Sequence, residues 1–170
     1  MANTYQYINS SVLSSGASSV VFSSIPSTFD DLVLFISVRN TTSGSQNYFL
    51  KINSTAADYG VVILYGDGSS ASSATYSSES SGYRVFQAQP GSDYVANTFS
   101  STEIYIPKYK NTTAKIVAMH NAIENTNPTA YQSFVTGYQP ATAAITSLEV
   151  TTAGNFAANS SFYLYGIKNS

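Results

Sequence analysis

The stretch Asp31–Asn40 (DLVLFISVRN) constrains this chain more than any other. Leu32, Leu34, Ile36 and Val38 share one face of an extended strand, and Val33 and Phe35 share the other, because successive side chains point to opposite sides. A strand apolar on both faces is expected to be covered on both. It therefore belongs inside a layered β structure rather than at an edge.

The rest of the chain alternates short β-prone runs with turn chemistry. Val20–Phe22 leads to a stop at Ile25-Pro26, since proline lacks the N–H that a ladder needs. Gln46–Asn53 alternates Tyr48, Leu50 and Ile52 against Asn47, Phe49 and Lys51, and Tyr59–Tyr65 (YGVVILY) is rich in strand formers. Further strands are read over Gly82–Ala88, Phe99–Ile106, Thr112–Ala122, Ala130–Tyr138, Ile145–Thr152 and Ser161–Ile167. Ala153-Gly154-Asn155 reads as the turn before the last of these, Pro140–Ala144 as a short helical turn, and Glu124–Pro128 as a loop. Turn signals at roughly 8–12-residue spacing without an amphipathic helix predict an all-β fold. The expected form is a single antiparallel β-sandwich, jelly-roll-like, of about ten short strands.

One domain is expected over residues 1–170, with two appendages. The first is an N-terminal arm (1–13) in which Tyr5 and Tyr7 alternate with polar neighbours, as on a half-exposed strand or arm. The second is a Ser-rich loop (69–82, SSASSATYSSESSG), whose small polar side chains bury too little surface to offset their ordering entropy. Tyr76, in its middle, is a candidate exposed contact.

Composition bounds the chemistry. Charged residues are 9% of the chain, against roughly 25% in ordinary soluble domains. The seven Lys and Arg are scattered and form no stripe for phosphates, which argues against nucleic acid. There is no Cys, hence no disulfide, thiolate metal site or cysteine nucleophile. No apolar run approaches the ~20 residues that span a bilayer, so no membrane partner is expected. Met1-Ala2-Asn3-Thr4-Tyr5 lacks a basic region followed by an apolar one, so no export signal is read there.

His120, the single histidine, sits on a strand among apolar neighbours and reads as a structural residue, hydrogen-bonded or half-buried. No Gly-x-Ser-x-Gly turn is present. Asp30-Asp31 reads as turn chemistry, and Gly66-Asp67-Gly68-Ser69 falls short of a calcium loop, which needs several alternating acidic ligands. No catalytic, metal or cofactor residue is expected, and the chain reads as non-enzymatic. The 14 Tyr and 9 Phe exceed the needs of one small core, so some are expected at the surface or at subunit contacts.

Three groups of segments carry a resemblance. They are Val20-Val21-Phe22-Ser23-Ser24-Ile25-Pro26 with Asp31-Leu32-Val33-Leu34; Tyr65-Gly66-Asp67-Gly68-Ser69-Ser70 with Ile104–Thr112 (IYIPKYKNT); and Ala144–Leu148, Gly154-Asn155-Phe156 and Ser161–Lys168 (SFYLYGIK). In this order they resemble small β-rich virion proteins of tailed phages, notably those of cyanobacteria and marine bacteria. The resemblance covers nearly the whole chain and lies in turns and core strands. It implies a virion structural protein, assembled in a bacterial cytoplasm. The first role implied is a capsid decoration (cement) protein, a homotrimer or other small homo-oligomer on the major capsid protein or another virion protein. Its contacts would come from the arm through Tyr5, Tyr7 and Ile8. The alternative is a tail-fibre or tail-tip module that binds a host-surface glycan through Tyr76.

Overall fold

The computed structural model describes residues 4–56, 58–124, 126 and 130–168. These form twelve strands: β1 (Tyr5–Val12), β2 (Ala17–Phe22), β3 (Asp31–Ser37), β4 (Gln46–Ile52), β5 (Tyr59–Gly66), β6 (Ala71–Glu79), β7 (Tyr83–Gln89), β8 (Ser101–Ile106), β9 (Lys115–Glu124), β10 (Ala130–Gln139), β11 (Leu148–Phe156) and β12 (Ser161–Ile167). An eight-stranded sheet runs β1-β12-β3-β8-β9-β10-β5-β6, and a four-stranded sheet runs β2-β11-β4-β7. All the pairings are antiparallel.

The order has a simple logic. β1 pairs with β12, β2 with β11, β3 with β8 and β4 with β7, so the chain doubles back on itself as a rolled antiparallel ribbon. This is a jelly-roll-like sandwich of eight strands. The other four strands are two hairpins, β5–β6 and β9–β10, that enter between ribbon strands and extend one sheet beyond β8. The count of about ten strands is thus corrected to twelve.

Alternation places the core between the sheets. Leu34, Ile104, Phe162 and Leu164 from the larger sheet and Leu50, Val85, Leu148 and Val150 from the smaller are all fully buried. Tyr83 edges onto Tyr59, ring centroids 4.8 Å apart, and lies over Gly137, where an added Cβ would come within 2.4 Å of the Tyr83 ring. Glycine is needed there because ring and backbone meet at contact distance.

β3 is interior to its sheet, between β12 and β8, as the sequence predicts. Its second face is only partly covered: Val33 is buried between Tyr165 and Tyr105 of the neighbouring strands, but Phe35 is 37% exposed. Among the described residues no layer lies over that side, so a ring there gains only neighbours within the sheet.

The segment read as a half-exposed strand or arm is strand β1, laddered on β12 from Tyr5↔Ile167 to Val12↔Ser161, with a bulge at Ile8; residues 1–3 lie outside the described residues. Several expectations are corrected. The Ser-rich loop is mostly strand β6, paired with β5 from Gly66↔Ala71 to Val61↔Tyr76. Backbone bonds to an already buried strand order it, although its side chains contribute little. Ala153-Gly154-Asn155 is not the turn before β12 but an irregularity within β11, where the register shifts between Thr151 and Phe156. The turn itself is Ala157–Ser160, closed by Ser160 N–H donating to Ala157 C=O at 3.2 Å. Pro140–Ala144 forms no helical turn; its backbone is held by Ala141 N–H donating to Gln139 Oε1 at 2.7 Å. Of the expected loop Glu124–Pro128, residues 125, 127 and 128 lie outside the described residues.

Candidate functional site

Exposed large apolar side chains collect on one surface, the face of the eight-stranded sheet turned away from the four-stranded one. Among the described residues, all such side chains except Val21 and Val95 lie on it. The ladders fix their arrangement. Residues directly opposite in neighbouring strands share a face, so rows can be traced across the sheet. One row reads Tyr163, Phe35, Glu103, His120, Phe134, Leu64, and the next Tyr165, Val33, Tyr105, Ala118, Thr136, Val62.

Local contacts order the rings. Tyr165 meets Phe35 and Tyr7 edge-on, with centroids 5.9 and 6.0 Å apart. His120 stacks on Phe134 at 4.6 Å. Tyr105 donates its hydroxyl to Asp31 Oδ2 at 2.8 Å, and Asp31 Oδ1 accepts from Lys108 N–H at 2.8 Å. Burial, then the Asp31 carboxylate, raises the pKa of the Tyr105 phenol above its ordinary value. Open depressions lie between the rings. One of about 310 Å³ is lined by Glu103, Tyr105, Ala118, His120, Phe134 and Thr136. Another of about 530 Å³ lies near the β6 edge, beside Leu64, Gln132 and Phe134.

The face carries little reactive chemistry. Glu103 and His120 are its exposed acid and base in these two rows, opposite each other on β8 and β9. His120 is therefore exposed and ring-stacked, which corrects the expectation of a hydrogen-bonded or half-buried residue. Among the described residues, no group of three or more His, Asp or Glu is placed to hold a metal ion.

Elsewhere several carboxylates have structural partners. Asp30 pairs with Lys110 at 3.1 Å and Glu79 with Arg84 at 2.6 Å. Glu124 Oε1 accepts from Val95 N–H at 2.7 Å. Asp67 Oδ1 accepts from Ser69 N–H at 2.9 Å and Ser70 N–H at 2.8 Å, which closes the β5–β6 turn. These backbone donors hold its carboxyl well below the usual carboxylate range. The Gly66–Ser69 segment is thus a turn with its own acceptor.

The candidate residues from the sequence separate. Tyr5 and Tyr7 are exposed on the aromatic face. Ile8, at the bulge, is half-buried and packs against the domain's own core. Tyr76 is corrected from an exposed loop contact. It is half-buried on the opposite side of the sheet, beneath the Arg84 guanidinium at 4.3 Å. The main surface rings, Phe35, Phe134, Tyr138 and Tyr163, were not singled out from the sequence. The available signal was alternation: Phe134, Thr136 and Tyr138 occupy the positions opposite Val135, so one of the two sides had to carry rings outward.

By fold, the chain is an all-β, two-sheet antiparallel sandwich. No family model matches the chain, no curated protein matches it, and no solved structure matches it.

Proposed function

We propose that this chain is a non-enzymatic structural protein of a tailed-phage particle, a capsid decoration (cement) protein that stabilises the head. Its partner would be the major capsid protein or another virion protein, and it would act as a small symmetric homo-oligomer. The observation that carries the reading is the broad aromatic face of the eight-stranded sheet. Six rings, Tyr5, Tyr7, Phe35, Phe134, Tyr138 and Tyr163, are each between 37% and 59% exposed there. At 150–250 Å² per ring they present roughly 600 Å² of accessible surface, at the upper end of what a monomer leaves uncovered. A surface of this kind is stable when another protein covers it, and a low-charge composition suits permanent packing in an assembly.

Quantitative mass spectrometry of purified particles tests this. A copy number near that of the capsid subunits, with earlier heat release of DNA from particles lacking the protein, is expected. A copy number typical of a tail protein refutes the decoration role.

One observation favours a second reading, a tail-fibre or tail-tip module that holds a host-surface glycan. Phe134, with His120 stacked on it and Glu103 alongside, gives a ring platform edged by polar groups. Selective signals on a glycan array, lost in Phe134→Ala, would support it. Silence across arrays built from host envelopes would remove it.

A further inference from the structure

We propose that the aromatic face of the eight-stranded sheet is covered by a second copy of this chain, across a two-fold axis that runs along the strands above the junction of β8 and β9. The proposal rests on reading the chain as an assembly protein and names what covers its face.

The sheet order puts that junction at the centre. β1, β12, β3 and β8 lie on one side, and β9, β10, β5 and β6 on the other. A two-fold along the strands lays each half over the other half of the partner and keeps the rows aligned. In the first row, Glu103 then faces the partner's His120, and Phe35 faces the partner's Phe134. A carboxylate that accepts meets an imidazole N–H that donates, twice per dimer, with rings on both flanks. In the second row, Tyr105 faces the partner's Ala118 and Tyr165 its Val62, with the buried Val33 between them. The two tyrosines on the ribbon half therefore meet smaller side chains on the hairpin half. The depression of about 310 Å³ over Ala118 and Thr136 is where the Tyr105 ring edge would seat. A self-complementary pattern of this sort is what an isologous contact requires.

The area suffices. Seven inter-strand spacings of ~4.8 Å and strands of ~20 Å make a face of roughly 700 Å² in projection. The accessible area of a corrugated face is larger, and a standard interface takes ~800 Å² from each partner. The central rows hold one carboxylate, Glu103, and one imidazole, His120, at positions the axis exchanges, so no like charges are brought together.

Sedimentation equilibrium of the purified chain tests the proposal with three variants. Ala118, His120 and Glu103 are all exposed in the single chain, so these substitutions leave the core untouched. The wild type is expected to form a two-copy species. Ala118→Arg fills the seat for Tyr105, and His120→Glu sets carboxylate against carboxylate; each should weaken the dimer by at least about tenfold. Combining Glu103→His with His120→Glu exchanges the pair and should restore it. A wild type that stays monomeric, a trimer, a dimer indifferent to Ala118→Arg and His120→Glu, or an exchange variant that fails to recover the dimer overturns the proposal. The copy number per particle is a separate readout. A monomer present at capsid-like copy number would sink the two-fold contact and leave the decoration role standing. A two-fold dimer absent from particles would do the reverse.

Discussion

Replacing Tyr48 by phenylalanine should make this protein more stable. Tyr48 lies on β4 with no exposed surface, and its ring meets Phe156 edge-on at 6.2 Å. Its hydroxyl and that of Thr102 on β8 face each other, sealed from water, and neither reaches a hydrogen bond of ordinary geometry. A buried hydroxyl without a partner costs ~1–3 kcal/mol. Tyr48→Phe removes that cost and keeps the ring, so a gain of ~1–2 kcal/mol is expected. For a domain of this size that corresponds to a rise of ~2–8 °C in Tm. Thr102→Val removes the other hydroxyl at nearly constant volume and should add about 1 kcal/mol. Paired urea titrations at neutral pH measure both. A loss of more than ~1 kcal/mol in Tyr48→Phe would refute the reasoning, because it would mean the hydroxyl is bonded.

The same residue predicts an alkaline limit. Burial raises the pKa of the Tyr48 and Tyr83 phenols far above 10. The unfolded chain loses these protons first, so their contribution is intact below about pH 10 and is lost as pH rises above it. Each phenol steepens the loss by up to ~1.4 kcal/mol per pH unit, and Tyr48→Phe should remove one such share.

Three further outcomes are expected. Gly137→Ala drives a methyl into the buried Tyr83 ring and should cost ~1–3 kcal/mol by overpacking, read by thermal unfolding; an unchanged Tm would show that the ring can shift. Lys115 is 2% exposed, with its ammonium donating to Asn111 C=O at 2.7 Å and Thr113 C=O at 2.5 Å. Burial lowers its pKa, so the folded chain releases that proton before the unfolded one does, and stability should rise with pH from the lowered value toward about 10.4. Stability curves of Lys115→Met should lack this rise. Finally, the Arg39 guanidinium donates to the carbonyls of Ser92 at 3.2 Å, Tyr94 at 3.0 Å and Val95 at 2.7 Å. Arg39→Ala should speed hydrogen exchange across residues 92–98 at least tenfold, with the sheet amides unchanged.

The legible parts of the fold were those where side chains decide. β3 announces itself because it is apolar on both faces, β4 because burial on one face leaves a period of two, and Pro26 marks a real break. β6 was illegible for the opposite reason. Ser72 and Ser73 have no strand preference, and the ladder to β5 makes them extended. Gly154 and Asn155 carry turn chemistry that the chain uses for a bulge. The candidate surface was half legible. The excess of tyrosine and phenylalanine required exposed rings, but which face lacks a covering layer depends on sheet order, which is set by pairings between distant segments.

That sheet order also bears on how the chain reaches its folded state. β12 lies between β1 and β3, and β11 lies between β2 and β4. Among the described residues, β11 and β12 each bridge two early strands. During synthesis at ~5–20 residues per second, β1 through β4 emerge many seconds before the strands that join them. Until then their apolar edges and the Leu32–Ile36 stripe have no native neighbours on that side. The final segment therefore acts as a keystone. Folding should remain incomplete until it is free, and a nascent chain arrested before Leu148 should be a substrate for chaperones and proteases rather than a smaller folded unit.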